Sequence, residues 1–144
     1  MLVKRTYSQE ELTALLHRHG INPTAQRLEI ARLLFARAEH LSAEDVFVLV
    51  NNAATPVSKA TVYNTLGLFA EQGLIREVIA DPNKVFYDPN TAPHYHFYDI
   101  ATGQLTDIDA EGVQISGLPS LPEGTRMEGV DVIVRLRHSD RPAH

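Results

Sequence analysis

Apolar residues recur at helical spacing along the first half of the chain, where they predict four helices. Ser8, Ser42 and Ser58 precede three of these segments and can cap them. Ser8 and Ser42 each have an acidic residue three positions later, which is the pattern of a capping box. The predicted helices cover about residues 9–19, 24–38, 43–54 and 59–72.

After the fourth predicted helix the apolar period changes from helical to alternating. Residues 74–79 and 85–87 alternate like two strands, and the stretch 80–84 has the composition of a turn, so the pattern predicts a β-hairpin. Helices followed by a hairpin are typical of a winged helix-turn-helix, in which the last helix enters the DNA major groove. The first half is therefore predicted to be a DNA-binding domain.

The second half is predicted to be a smaller domain built on strands. Residues 94–100 and 104–108 predict a second hairpin, and 130–136 is β-branched and apolar enough for a central strand. Residues 109–117 leave room for one or two helical turns at most. A lobe of about 50 residues has too small a core to be stable alone, which favours pairing with a second copy.

These patterns predict an α+β protein with two domains. An N-terminal winged helix-turn-helix DNA-binding domain covers residues 1–87, and a hinge covers 88–93. A small α/β dimerisation domain then covers 94–137, and a loose polar tail covers 138–144.

The fourth predicted helix has a polar face opposite its apolar stripe. There Lys59 is suited to a phosphate, Asn64 to an adenine edge, and Tyr63 to a thymine methyl group or a phosphate. A solvated polar face on a plain helical domain remains the alternative. The remaining predicted DNA contacts, most of them to the backbone, are Lys4, Arg5, Arg27, Thr61, Arg76 and Lys84.

Charge and composition indicate where in the cell the protein acts, but they do not decide its function. The formal net charge of -5 falls entirely on residues 88–144, because residues 1–87 carry nine Lys/Arg against nine Asp/Glu. A neutral first half can still present a basic face to DNA, so charge does not decide. No run approaches the roughly 18 apolar residues of a membrane span, and no secretory signal precedes the first helix. We expect a cytoplasmic protein.

The chain has no cysteine, so any metal must be bound by His, Asp or Glu. His94 and His96 are two residues apart on a predicted strand, and both imidazoles therefore leave the same face. Such a pair is half of a metal site and needs further ligands before it binds tightly. Two surface histidines are the alternative interpretation.

With these residues in view, the chain resembles the ferric uptake regulator family of metal-dependent repressors over nearly its whole length. An Ala-Thr-Val-Tyr signature in a fourth helix is the most specific of the shared features. The stretches that carry the resemblance are residues 24–27, 40–46, 60–66 and 94–96.

The resemblance implies a regulatory metal site. In the peroxide-sensing branch of the family, the ligands correspond here to His40, Asp88, His94, His96 and Asp107, with Tyr87 a non-ligand. This nitrogen and oxygen donor set suits Fe(II) or Mn(II), and zinc is expected to bind in vitro. One ion would then tie the DNA-binding lobe to the dimerisation lobe.

The chain also departs from many family members. The stretch 99–103 stands where the first cysteine pair of a structural zinc site would be, so no structural cysteine-bound zinc is expected. A further family site is also not expected, because Tyr95 lies between the histidines. Residues 87–91 and 132–137 look most similar to the iron response regulator branch, some members of which respond to haem.

These features predict a homodimeric repressor, without catalytic turnover, that binds an AT-rich inverted repeat when loaded with Fe(II) or Mn(II) and responds to peroxide or iron status. A haem-responsive regulator is the first alternative. The others are a small metal-dependent enzyme and a metal-independent protein whose dimerisation lobe binds a partner.

Overall fold

A computed structural model of the protein describes residues 6–37, 40–52, 56–92 and 94–138. Lys4 and Arg5, two of the predicted DNA contacts, lie outside the described residues, as does most of the predicted tail. The chain divides after Ala92 into two compact units. No helix in the described ranges is both long and apolar enough to cross a membrane.

The first unit contains the four predicted helices, and both predicted capping boxes are present. The third helix is shorter than predicted because the side chain of Asn51 binds the chain that follows. Its Nδ2 donates to the carbonyl of Val57 at 3.1 Å, and its Oδ1 accepts the Val57 amide at 3.3 Å. The helices are α1 (Gln9–Arg18), α2 (Ala25–Arg37), α3 (Ala43–Asn51) and α4 (Lys59–Glu71).

A three-stranded antiparallel sheet completes this unit. The predicted hairpin is formed by β2 (Arg76–Asp81) and β3 (Lys84–Asp88), and its turn is fixed by the Asn83 amide, which donates to Asp81 Oδ1 at 2.8 Å. The strand β1 (Leu41–Ser42), which was not predicted, pairs with β3 on its other edge. The unit is therefore a winged helix with a three-stranded wing sheet.

The apolar stripes of the four helices meet in one core. Val62, Leu66 and Phe69 of α4 are completely buried, and they belong to the same hydrophobic cluster as Leu16 of α1 and Ile30 of α2. Burial of this stripe leaves the opposite, polar face of α4 toward solvent, as the sequence pattern predicts.

The second unit is a three-stranded sheet with long irregular segments. The predicted hairpin is formed by β4 (His94–Asp99) and β5 (Leu105–Asp109), and β6 (Ile133–Leu136) runs parallel to β4 in the order β5-β4-β6. The prediction of a central strand over 130–136 was wrong, because β6 is a four-residue edge strand with mostly exposed side chains. The predicted helical turns reduce to a 3₁₀ helix over Ala110–Gly112.

The turn after β4 is closed by one carboxylate. Asp99 Oδ1 accepts the amides of Ala101 at 2.9 Å and Thr102 at 3.2 Å, while its Oδ2 lies 2.7 Å from His138 Nε2. The hydrogen bond from His138 is the main cause that lowers the pKa of Asp99. These hydrogen bonds therefore join the end of β4 to the chain just beyond β6.

Candidate metal centre

The first unit holds two of the five predicted ligands, His40 and Asp88, side by side. His40 directly precedes β1 and Asp88 is the last residue of β3, so the pairing of these strands brings the residues together. His40 Nε2 lies 3.0 Å from Asp88 Oδ2. The other carboxylate oxygen of Asp88 accepts the Asn90 amide at 2.9 Å, which fixes the orientation of the carboxylate.

The second unit holds the other three, His94, His96 and Asp107. Both imidazoles lie on the buried face of β4, where the two residues are 6% and 3% exposed, and their ring centres are 4.6 Å apart. Asp107 lies on β5 directly opposite His96. Its Oδ1 is 3.3 Å from His94 Nε2 and 3.2 Å from His96 Nε2.

The arrangement in the second unit suits a cation. Two imidazole nitrogens converge on one carboxylate oxygen, and each nitrogen offers a lone pair whenever its ring is neutral and protonated at Nδ1. A divalent ion could accept a lone pair from each of these three groups at once. Two imidazoles and a carboxylate are donors that bind Fe(II), Mn(II) and Zn(II).

Tyr87, adjacent to the predicted ligand Asp88, is part of the hydrophobic core of the first unit. Burial is the main cause that raises the pKa of Tyr87, and the carboxylate of Glu77 raises it further. A phenol that keeps its proton is a poor ligand for a divalent ion. This placement supports the interpretation of Tyr87 as a non-ligand.

Three of the predicted DNA contacts line one polar groove in the first unit. Thr61 and Asn64 of α4 face Arg27 near the start of α2, across a groove of about 330 Å³. Arg27 is held there, because its guanidinium donates to the Asn22 carbonyl at 3.0 Å. The groove is lined by Thr24, Gln26, Arg27, Thr61, Asn64 and Thr65.

Lys59 and Tyr63 lie one turn apart on α4 and share an acidic neighbour. Lys59 Nζ is 2.7 Å from Glu44 Oε1, and the Tyr63 hydroxyl donates to the same oxygen at 3.3 Å. This hydrogen-bonded ion pair lowers the pKa of Glu44 and raises that of Lys59. Glu44 was not predicted as part of this surface, because nothing in its spacing from α4 in the sequence signals a contact between two helices.

The remaining two predicted DNA contacts lie on the wing. Arg76 begins β2, and Lys84 begins β3 directly after the turn of the hairpin. Lys84 Nζ lies 5.5 Å from the ring centre of Phe86. Lysine at a hairpin tip is well placed to reach a phosphate backbone.

The chain is similar to several known proteins. The sequence profile of the Ferric uptake regulator family matches residues 18–129. The Peroxide-responsive repressor PerR of Staphylococcus epidermidis is 31% identical over 99 residues, which make up 69% of this chain and 66% of that protein. The Ferric uptake regulation protein of Synechococcus elongatus is 32% identical over 124 residues, 83% of this chain and 84% of that protein.

The fold is similar to that of solved structures. The structure of the Ferric uptake regulator from Pseudomonas aeruginosa with manganese superposes with a TM-score of 0.68 and 24% identity, covering 89% of this chain and 98% of that one. The likeness bears on the fold, a winged-helix domain followed by a smaller second domain.

Proposed function

Given that this chain belongs to the ferric uptake regulator family of metal-responsive transcriptional repressors, we propose that it binds operator DNA as a homodimer under the control of Fe(II) or Mn(II). The observation that carries the proposal is the convergence of His94, His96 and Asp107 in a chain whose first unit is a winged helix. We place its action in the cytoplasm, where the DNA is.

We propose that one ion takes its ligands from both units. The first unit contributes His40 and Asp88, which already lie 3.0 Å apart, and the second contributes His94, His96 and Asp107. Only five residues separate Asp88 from His94 in the sequence, and so short a connection limits how far the two sets of ligands can separate, which supports the proposal. A five-ligand nitrogen and oxygen site favours Fe(II) or Mn(II) over a closed tetrahedral zinc site.

The ion would act by selecting one arrangement of the two units. A metal that binds the DNA-competent arrangement more tightly than the others shifts the population toward it, and by linkage operator DNA raises the affinity for the metal equally. The chain's own residues supply only binding and orientation. We therefore propose no catalytic turnover, in keeping with relatives that are regulators.

The sheet of the second unit offers a surface for a second copy. Phe97 of β4 and Val134 of β6 are paired in register, and both are more than a third exposed, as is Leu136. A two-fold dimer through this face would present two copies of α4 to DNA. Such symmetry requires an inverted repeat in the operator, and we propose that the repeat is AT-rich.

The test of the proposed function is DNA binding with and without metal. The full-length protein, loaded with Mn(II), is used to select binding sequences from a random duplex library, and the affinity for the selected duplex is then compared with that of the metal-free protein. We expect binding to the selected duplex to need Mn(II), and the selected sequences to contain an inverted repeat. Equal affinity with and without metal would contradict the proposal.

Substitutions on α4 should separate backbone contacts from base contacts. Lys59→Gln is expected to weaken all duplexes alike and to lower the slope of log affinity against log salt by about one, because one phosphate contact is lost. Asn64→Ala is expected to cost about 1–3 kcal/mol on the selected duplex and little on random DNA. Wild-type binding by both variants would mean that another surface contacts DNA.

We propose peroxide or iron status as the signal, with haem second. When bound, Fe(II) would supply one-electron chemistry with peroxide, and the imidazoles proposed to hold it would be the groups most open to oxidation. Treating the Fe(II)-loaded protein with stoichiometric peroxide should add one oxygen atom at His40 or His94, detected by peptide mass, with loss of DNA binding. The Mn(II)-loaded protein is the control and should remain unmodified.

The haem alternative makes a different demand, since a macrocycle needs an axial ligand such as a histidine and space around it. An Fe(II)-loaded protein that stays unmodified by peroxide, but releases DNA when haem is added, would favour that alternative.

A further inference from the structure

The polar face of α4, which is proposed to bind DNA, contacts a carboxylate of α3. Glu44, in the first turn of α3, places Oε1 2.7 Å from Lys59 Nζ and 3.3 Å from the hydroxyl of Tyr63. All three groups are exposed, with about 56% of the Lys59 side chain and 58% of the Glu44 side chain open to solvent. The contact is therefore on the surface that the proposed function assigns to DNA.

A phosphate and Glu44 need the same donors. The ammonium of Lys59 is suited to a DNA phosphate, and in the free protein it is paired with the carboxylate of Glu44. Moving Lys59 to a phosphate breaks the ion pair and leaves Glu44 charged beside a polyanion. Exposed ion pairs are weak, but this one opposes every DNA sequence in the same way.

We propose that Glu44 is an affinity-setting residue that competes with DNA phosphates for Lys59, and so lowers the affinity of the protein for every DNA sequence by a similar factor. On random DNA the gain from phosphate contacts alone must exceed the cost of displacing Glu44. On the operator, base contacts from the rest of α4 add to that gain. The inference rests on the proposed function, because it assigns α4 to DNA.

Salt dependence distinguishes this role from a structural one. DNA binding releases about one cation for each phosphate that a lysine neutralises. Glu44, freed from Lys59, recovers part of a cation from solution, so the wild type should show a shallower salt slope than a variant without this carboxylate. An acidic residue in the first turn also stabilises α3, but loss of that effect alone would leave the slope unchanged.

The experiment compares Glu44→Gln with the matched control Glu29→Gln in the full-length, Mn(II)-loaded protein. Glu29 is paired with Arg32 on its own helix, where Arg32 Nε donates to Glu29 Oε2 at 3.1 Å, so the control removes the same charge and the same kind of contact. The probes are the duplex selected by the wild type and a GC-rich duplex of the same length without a repeat. Affinity is measured over a range of salt concentrations, alone and in a Lys59→Gln background.

We expect Glu44→Gln to raise the affinity for both duplexes by a similar factor, about 2- to 5-fold, with a steeper salt slope. In the Lys59→Gln background the same change should have almost no effect, because the competition is then absent. Glu29→Gln should match the wild type throughout.

The inference is overturned if Glu44→Gln and Glu29→Gln behave alike, or if the effect of Glu44→Gln persists without Lys59. In both cases the wild type still binds the selected duplex, and the proposed function stands. If the wild type selects no sequence and Lys59→Gln changes nothing, the proposed function itself fails and this inference fails with it.

Discussion

Replacing His96 with alanine is expected to lower the affinity for Mn(II) by at least about 100-fold and to abolish metal-dependent DNA binding with it. Removing a residue that only hydrogen-bonds to a metal ligand already lowers the metal affinity about 10- to 100-fold. The loss should be larger for His96, which is proposed to bind the ion directly. Its side chain is 3% exposed in the middle of β4, and its Nε2 lies 3.2 Å from Asp107 Oδ1, so alanine removes a donor atom from the interior of the proposed site. Calorimetric titration with Mn(II) and DNA binding on the same samples are the measurements.

Two controls keep this result interpretable. His138→Ala removes an exposed histidine of the same unit, one that pairs with Asp99, and should leave Mn(II) affinity unchanged. His96→Asn preserves most of the side-chain volume and should lose the metal while remaining folded by circular dichroism. Tight Mn(II) binding by both His96 variants would remove this residue from the site.

The second large effect is expected for Phe69→Ala, which should destabilise the winged-helix unit by about 3–5 kcal/mol. Phe69 is completely buried on α4 within the core shared by the four helices. Since domains have only about 5–15 kcal/mol of total stability, this loss takes a large part of it. Denaturant unfolding, followed by circular dichroism, measures the change in the free energy of unfolding.

Val48→Ala is the matched control, because Val48 is an apolar residue of α3 that is 55% exposed. Its free energy of unfolding should stay within about 0.5 kcal/mol of the wild type. At low temperature the folded fraction of Phe69→Ala should still bind DNA, since the recognition face is intact. Equal stability of the two variants would mean that the core is assigned incorrectly.

The sequence was sufficient to predict the elements that have a clear period. The capping boxes of Ser8 and Ser42, the stripe on α4 and both hairpins are confirmed, since each depends on residues close together in the chain. β1 was missed because two residues have no period. The predicted central position of β6 was wrong, because β-branched residues are equally compatible with a buried strand and with an edge strand.

The geometry of the candidate site was likewise predictable only in part from the sequence. The spacing of His94 and His96 predicts a shared face, and the structure confirms it. The proximity of His40 to Asp88 depends on the pairing of β1 with β3, and only the resemblance to a family made it predictable from the sequence. Neither residue spacing nor the resemblance to a family indicated the contacts of Glu44. These contacts join α3 to α4 and depend only on where the packed helices place their side chains.

The turn closed by Asp99 affects how the protein should respond when its metal is removed and then added back. Hydrogen bonds from two amides and from His138 hold this turn in a chain without any cysteine, so its closure does not depend on a cysteine-bound zinc or on the redox state of a thiol. A strong chelator should therefore strip the regulatory ion and leave this part of the second unit folded. Adding Mn(II) back should restore DNA binding in full, so depletion and repletion would form a cycle that the same molecule can repeat.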